Sequence, residues 1–231
     1  MEAMENILTR RSVRIYRDTP VSRETLDAII AAAQMAPSWK NTQTSGYIVI
    51  TTPEMKAALM EALPPYNAKT VSTAPVVVVM TTRKKRCAYE RDGSFSTKKE
   101  DRWEMFDAGI ACQTLCLAAW AQGLGTCIMG IYDEDRVPTL LDVPEDQYVT
   151  AIVSMGYPAE SPTAPKRKPL EEKLGRKDAD KKRRKAGWQQ SVAMTQASTL
   201  VQCHTKPGVR DGSMPGASVL MTMRMLDDEK K

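Results

Sequence analysis

Histidine is nearly absent from this chain of 231 residues: the one imidazole, His204, lies far toward the C-terminal end. That excludes a body site built on a His-activated nucleophile, a His proton shuttle or a His-ligated metal. The five cysteines, Cys87, Cys112, Cys116, Cys127 and Cys203, form no Cys-x-x-Cys pair, and no secretory leader pattern opens the sequence. Both features point to reduced thiols in a cytoplasmic setting. No apolar run reaches the roughly 20 residues that a membrane span needs, so a membrane role is disfavoured. Neither Gly-x-Gly-x-x-Gly after a strand nor the phosphate-loop pattern Gly-x-x-x-x-Gly-Lys-Ser/Thr occurs, and the glycines of GLGTCIMG (123–130) have the wrong spacing. A Rossmann dinucleotide site is therefore disfavoured as well.

What is present is a chain with 42% apolar residues, enough for a real core. Its net charge of +5 is unevenly placed. From Arg176 onward there are 12 Lys/Arg against 6 Asp/Glu, which leaves residues 1–175 with 21 against 22. The basic excess thus belongs to a C-terminal extension, 176–231, whose unperiodic Ser, Thr, Met, Gly and Pro predict disorder. Its DKKRRK run can attract nucleic acid, yet a solvated tail is the better reading, and nucleic-acid binding is an unlikely main role.

The body is organised around WEMFDAGIACQTLCLAAWAQGLGTCIMG (103–130), whose first two-thirds is apolar on every side of a helical wheel. Such a helix is expected to be buried, in the core or between subunits. Gly123 and Gly125 close it and a short strand or turn follows. Earlier, Met4, Ile7 and Leu8 predict a short first helix, and Ser22 caps a second that Pro37 stops. Residues 46–52 and the β-branched run 75–82 read as strands, the latter buried on both faces. Glu54 to Leu63 reads as a surface helix ended by Pro64-Pro65, and 83–102 as a loop or lid. Asp133 caps a short helix, and 148–157 is the last strand.

Two polar stretches carry candidate chemistry. In RRSVRIY (10–16), Arg10, Ser12 and Arg14 fall on one side of an extended segment. Guanidiniums flanking a hydroxyl suit a phosphate, although an Arg-rich run also suits a solvated surface. In PSWKNTQTS, Asn41 and Gln43 can present amides to a planar heterocycle, or satisfy nearby backbone groups. Lys166 and Lys168, in PKRKPLEE, form a second cationic cluster.

Taken together, RRSVRIY, then APSWKNTQ, a buried apolar helix closed by GLGTCIMG, a strand ending in MGYP, and PKRKPLEE resemble the FMN-dependent nitroreductase family over nearly all of residues 4–175. The resemblance implies an α+β fold, a mostly antiparallel sheet flanked by helices, assembled as a homodimer with FMN at the subunit interface. By the same resemblance, Arg10, Arg11, Ser12, Arg14, Lys166 and Lys168 hold the FMN phosphate. Pro37, Ser38, Trp39 and Asn41, with Gln43 nearby, line the flavin, and Lys69 approaches its pyrimidine side. Cys127, Ile128, Met129 and Gly130 form the loop over the central ring. The implied activity is ping-pong transfer of reducing equivalents from NAD(P)H to a small acceptor such as a nitroaromatic or quinone, with the chemistry carried by flavin N5. Another FMN reaction on the same fold, reductive dehalogenation or substrate oxidation, is the alternative. Met129 departs from the family pattern, standing where some relatives carry glutamate.

Overall fold

A computed structural model describes residues 1–175; the extension 176–231, with its expected disorder and basic run, lies outside the described residues. The described residues fall into two units, Met1–Lys166 and the short stretch that starts at Arg167. The second unit holds a 3₁₀ turn at Leu170–Glu172 and an exposed Lys168–Glu172 ion pair at 3.7 Å.

In the first unit four strands, β1 (Ser45–Ile50), β2 (Val76–Arg83), β3 (Gly125–Met129) and β4 (Gln147–Gly156), pair antiparallel in the order β1-β2-β4-β3. The β-branched run of β2 sits inside the sheet, and its period of two divides the core. Val76, Val78 and Met80 face helices α2 (Arg23–Gln34) and α5 (Arg102–Ala121). Val77 and Val79 face the opposite layer, built from α3 (Pro53–Met60), α4 (Pro65–Thr73) and α6 (Arg136–Leu140). Each fully buried Val or Leu contributes roughly 1.5–3 kcal/mol, so a strand buried on both faces anchors both layers. The expected α+β sheet with flanking helices is the architecture found.

Local signals work as chemistry predicts. Ser22 Oγ accepts the Thr25 N–H at 3.2 Å at the start of α2. After α5, Gly123 adopts φ +79°, and the bonds Gly123 N to Trp120 O and Leu124 N to Ala119 O form a Schellman cap. The first helix, α1 (Ala3–Thr9), also forms as read, and Asp133 Oδ1 accepts the Arg136 N–H that opens α6.

Two expectations need correction, and a third is narrowed. Burial of α5 on all sides does not hold in the single chain: one side packs through Ala108, Ala111, Cys112, Leu115, Cys116 and Ala119, whereas Met105 and Phe106 are 54% and 58% exposed. Residues 65–73 form a further helix, α4, because Pro65 that ends one helix also suits the first turn of the next. Of loop or lid, residues 84–101 form the loop and not a free lid, with Cys87 and Ala88 fully buried and Tyr89 packed at a tilt against Phe95 at 4.7 Å.

Candidate active site

The basic stretch lies along the edge of the sheet. Val13 donates its N–H to Thr126 O at 3.0 Å, and Ser12 bridges Thr126 in parallel register. Val13 is fully buried against Gly125, where an added Cβ would meet Val13 Cγ2 at 2.5 Å. With Val13 turned inward, alternation turns Ser12 and Arg14 to solvent. Arg10 is half-buried, and its Nε has no hydrogen-bond partner. Arg11 differs from its neighbours: its Nη1 donates to Leu8 O and Arg10 O at 2.7 and 2.8 Å, bracing the end of α1. Glu160 Oε1 takes the Arg14 and Ile15 N–H groups at 2.6 and 3.2 Å, so these two amides are already used.

Helix α4 joins this stretch to the end of β3. Thr73 Oγ1 donates to Arg14 O at 3.4 Å, and Asn67 Nδ2 donates to Ile131 O at 2.9 Å. Lys69 projects from the same helix and is exposed. The loop expected at 127–130 is instead the end of β3 as far as Met129, paired to β4, and strand alternation separates its side chains: Cys127 and Met129 are buried, and Ile128 is 47% exposed. Gly130, exposed, is the first residue past the last ladder pair, Met129–Ile152. The structure thus brings residues 10–14, Lys69 and the end of β3 with Gly130 onto one connected edge. Lys166 is exposed at the end of the first unit, and Lys168 belongs to the second.

The loop after α2 has a different anchor. Trp39–Asn41 make a 3₁₀ turn in which Lys40 and Asn41 take φ of 44° and 56°, with Gln43 at 48°. Left-handed conformations at non-glycine residues cost on the order of 1–3 kcal/mol each and persist where surroundings over-determine them. Here Ser38 Oγ accepts the Gln43 N–H at 2.9 Å, and Asp107 Oδ2 on α5 accepts the Trp39 N–H at 2.7 Å. Trp39 packs at a tilt against Trp103, centroids 4.9 Å apart, and Lys40 pairs with Glu90 at 3.1 Å. The Asn41 and Gln43 side chains are exposed, and neither amide takes a partner among the described residues. A cavity of about 160 Å³ behind the loop is lined by Pro37, Ser38, Gln43, Thr44, Tyr47 and Asp107.

Two buried carboxylates serve this end of α5. Asp107 also accepts the Cys87 thiol hydrogen at 3.1 Å, and burial pushes that thiol's pKa well up. Glu104 accepts the Lys85 N–H at 2.7 Å, and burial raises its carboxyl above the usual range against the pull of that bond. The 37–43 loop is thus fixed to the N-terminal part of α5. Helix α1, which leads into the basic stretch, is fixed to the C-terminal part, through Asn6 Nδ2 to Leu117 O and Trp120 Nε1 to Thr9 Oγ1, both at 2.9 Å. Asp107 and Trp120 lie thirteen positions apart, or ~20 Å along the helix axis. Among the described residues no hydrogen bond or ring contact joins the two groups, so one chain keeps them apart.

Asn67, Asp107 and Glu160 escaped the sequence reading. Asp107 alone left a signal, as the single carboxylate inside the apolar run from Met105 to Ala121.

Comparison with known proteins places these features in a lineage. The family model described as the Nitroreductase family matches residues 7–71 and 61–157. A Methanothermobacter thermautotrophicus protein provisionally named NADH dehydrogenase/NAD(P)H nitroreductase is 35% identical over 166 residues, covering 70% of this chain and 80% of the relative. The FMN reductase [NAD(P)H] of Bacillus subtilis is 30% identical over 179 residues, covering 74% and 71%. Among solved structures, a provisionally classed nitroreductase from Desulfovibrio desulfuricans in complex with FMN superposes with a TM-score of 0.61 at 28% identity, covering 75% of this chain and 95% of that one.

Proposed function

The chain belongs to the nitroreductase family, and from that premise we propose that it is an FMN-dependent oxidoreductase drawing on NAD(P)H to reduce a small acceptor, a nitroaromatic or a quinone. The observation that carries the reading is the connected edge formed by Arg10, Ser12, Arg14, Lys69 and Gly130, held together by the Thr73–Arg14 and Asn67–Ile131 bonds. Relatives named for FMN reduction and for FMN binding support it.

The residues present fit an FMN. The Arg10 Nε is buried without a partner, a state that costs free energy unless an acceptor meets it. Arg10 and Arg14 guanidiniums and the Ser12 hydroxyl would hold the phosphate, whose charge of about −1.5 to −2 also suits Lys166 as a further cation. Arg11 supports this cluster from behind by fixing the end of α1. Lys69 would stand beside the pyrimidine edge, where a cation favours the anionic reduced ring. The Gly130 N–H, first beyond the ladder, would donate to flavin N5. Bound FMN would supply the two-electron chemistry between NAD(P)H and the acceptor, which the ping-pong reading assigns to flavin N5. Because these protein contacts are main-chain amides and fixed cations, a body without histidine is sufficient.

The two flavin-facing groups kept apart in one chain meet if two copies pair. The exposed stripe of α5, with Met105, Phe106, Gly109 and Gln113, and the exposed Met4, Ile7 and Leu8 of α1 give such a pair its apolar contact. Pro37, Ser38, Trp39, Asn41 and Gln43 of one copy would then face the basic stretch of the other.

The visible spectrum of the purified protein tests the reading. A flavin absorption band that bleaches with NAD(P)H and returns on adding a nitro compound is expected; a colourless protein that takes up no FMN defeats it.

A further inference from the structure

Asp107 is only 4% exposed, on a helix side whose other buried residues are Glu104, alanines, cysteines and one leucine. A carboxylate is costly there unless hydrogen bonds meet it. What it receives is the Trp39 N–H at 2.7 Å and the Cys87 thiol at 3.1 Å. Trp39 opens the 3₁₀ turn, and its amide is the fixed point from which Lys40, Asn41 and Gln43 enter left-handed backbone. Among the described residues, the turn's other polar contacts are the exposed Lys40–Glu90 pair, the Cys87 sulfur beside the Trp39 amide and, at its start, Ser38.

We propose that Asp107 is a positioning residue for flavin binding: by holding the Trp39 N–H, its Oδ2 sets the strained turn that presents the Asn41 and Gln43 amides to the flavin. This rests on the reading of the site given above. The acceptor oxygen does the positioning. The negative charge is incidental, and the Cys87 thiol, which donates to the same Oδ2, is not needed for it.

The full-length wild type, Asp107→Leu, Asp107→Asn and Cys87→Ala distinguish these roles. For each, the Kd for FMN is measured by quenching of flavin fluorescence, and the thermal midpoint is measured without FMN. Leucine removes the acceptor at similar volume, so Asp107→Leu is expected to weaken FMN binding about 10- to 100-fold, the range for losing a hydrogen bond to a charged group. Its midpoint without FMN is expected to change little, because relief of the buried charge offsets the Trp39 N–H left without an acceptor. Asp107→Asn keeps an oxygen for the Trp39 N–H and is expected to bind within about threefold of wild type, as is Cys87→Ala. The proposal is overturned if Asp107→Leu binds as tightly as wild type, if Asp107→Asn loses as much as leucine, or if affinity falls only in step with the midpoint. A wild type that binds no FMN instead brings down the reading of the site, and this inference with it.

Discussion

Val13 presses so closely on Gly125 that a single added carbon on the glycine would stand 2.5 Å from Val13 Cγ2. Any L side chain at 125 must push the basic stretch off the sheet edge. Gly125→Ala is expected to cost about 1–3 kcal/mol by overpacking, and a lower thermal midpoint checks it. Trimming the opposing side chain in Gly125→Ala/Val13→Ala recovers only part of the loss, because it removes the Val13 methyls at 2.5 and 3.1 Å and leaves Val13 Cβ at 2.7 Å.

The arginines of the same stretch are predicted to differ. Arg10 carries an unpartnered buried Nε, whereas Arg11 spends Nη1 on backbone carbonyls. Arg10→Gln should weaken FMN binding about 10- to 100-fold by fluorescence titration, the range for a charge-assisted bond. Arg11→Gln should lower the thermal midpoint more than it lowers FMN affinity. Equal losses at both positions contradict the division of labour.

Glu104 supplies a pH signature. Burial raises its carboxyl above the ordinary value, so the folded state prefers the protonated form. Stability tied to it is fully present below the unfolded value, about 4.3, and is lost as pH rises through the raised folded value. Glu104→Gln keeps an oxygen for the Lys85 N–H and does not titrate. Its thermal midpoint should exceed that of wild type at neutral pH, with the gap closing below about pH 4; a gap constant across that range counts against the assignment.

The apolar stripe of α5 predicts a pair of chains. Phe106→Glu, at a position 58% exposed in one chain, should shift the protein to monomers by sedimentation and release flavin together with the dimer. A variant that stays dimeric, or a monomer that holds FMN as tightly as wild type, rules out an interface site.

Much of the fold was legible because it follows from neighbouring residues. The valines of β2, the Ser22 cap and the glycine after α5 act within a few positions of themselves, and each formed as read. Helix α4 was hidden because Pro64-Pro65 was read only as a break, although a proline also opens a helix. The exposed side of α5 was hidden for another reason. A wheel of apolar residues marks which faces avoid water, and it does not say whether the cover comes from the same chain or a second one.

The sequence alone determined the pieces: reduced thiols, a body without imidazole, an arginine cluster about one hydroxyl, and a long apolar helix, all set by composition and short-range periodicity. The tertiary structure decided which pieces meet. It tied α4 to both Arg14 and Ile131, and it set Asp107 beneath Trp39 across 68 positions of chain. It also separated the 37–43 loop from the basic stretch along α5. Such meetings depend on packing between residues distant in sequence, where no periodicity reaches, and only the assembled core fixes them.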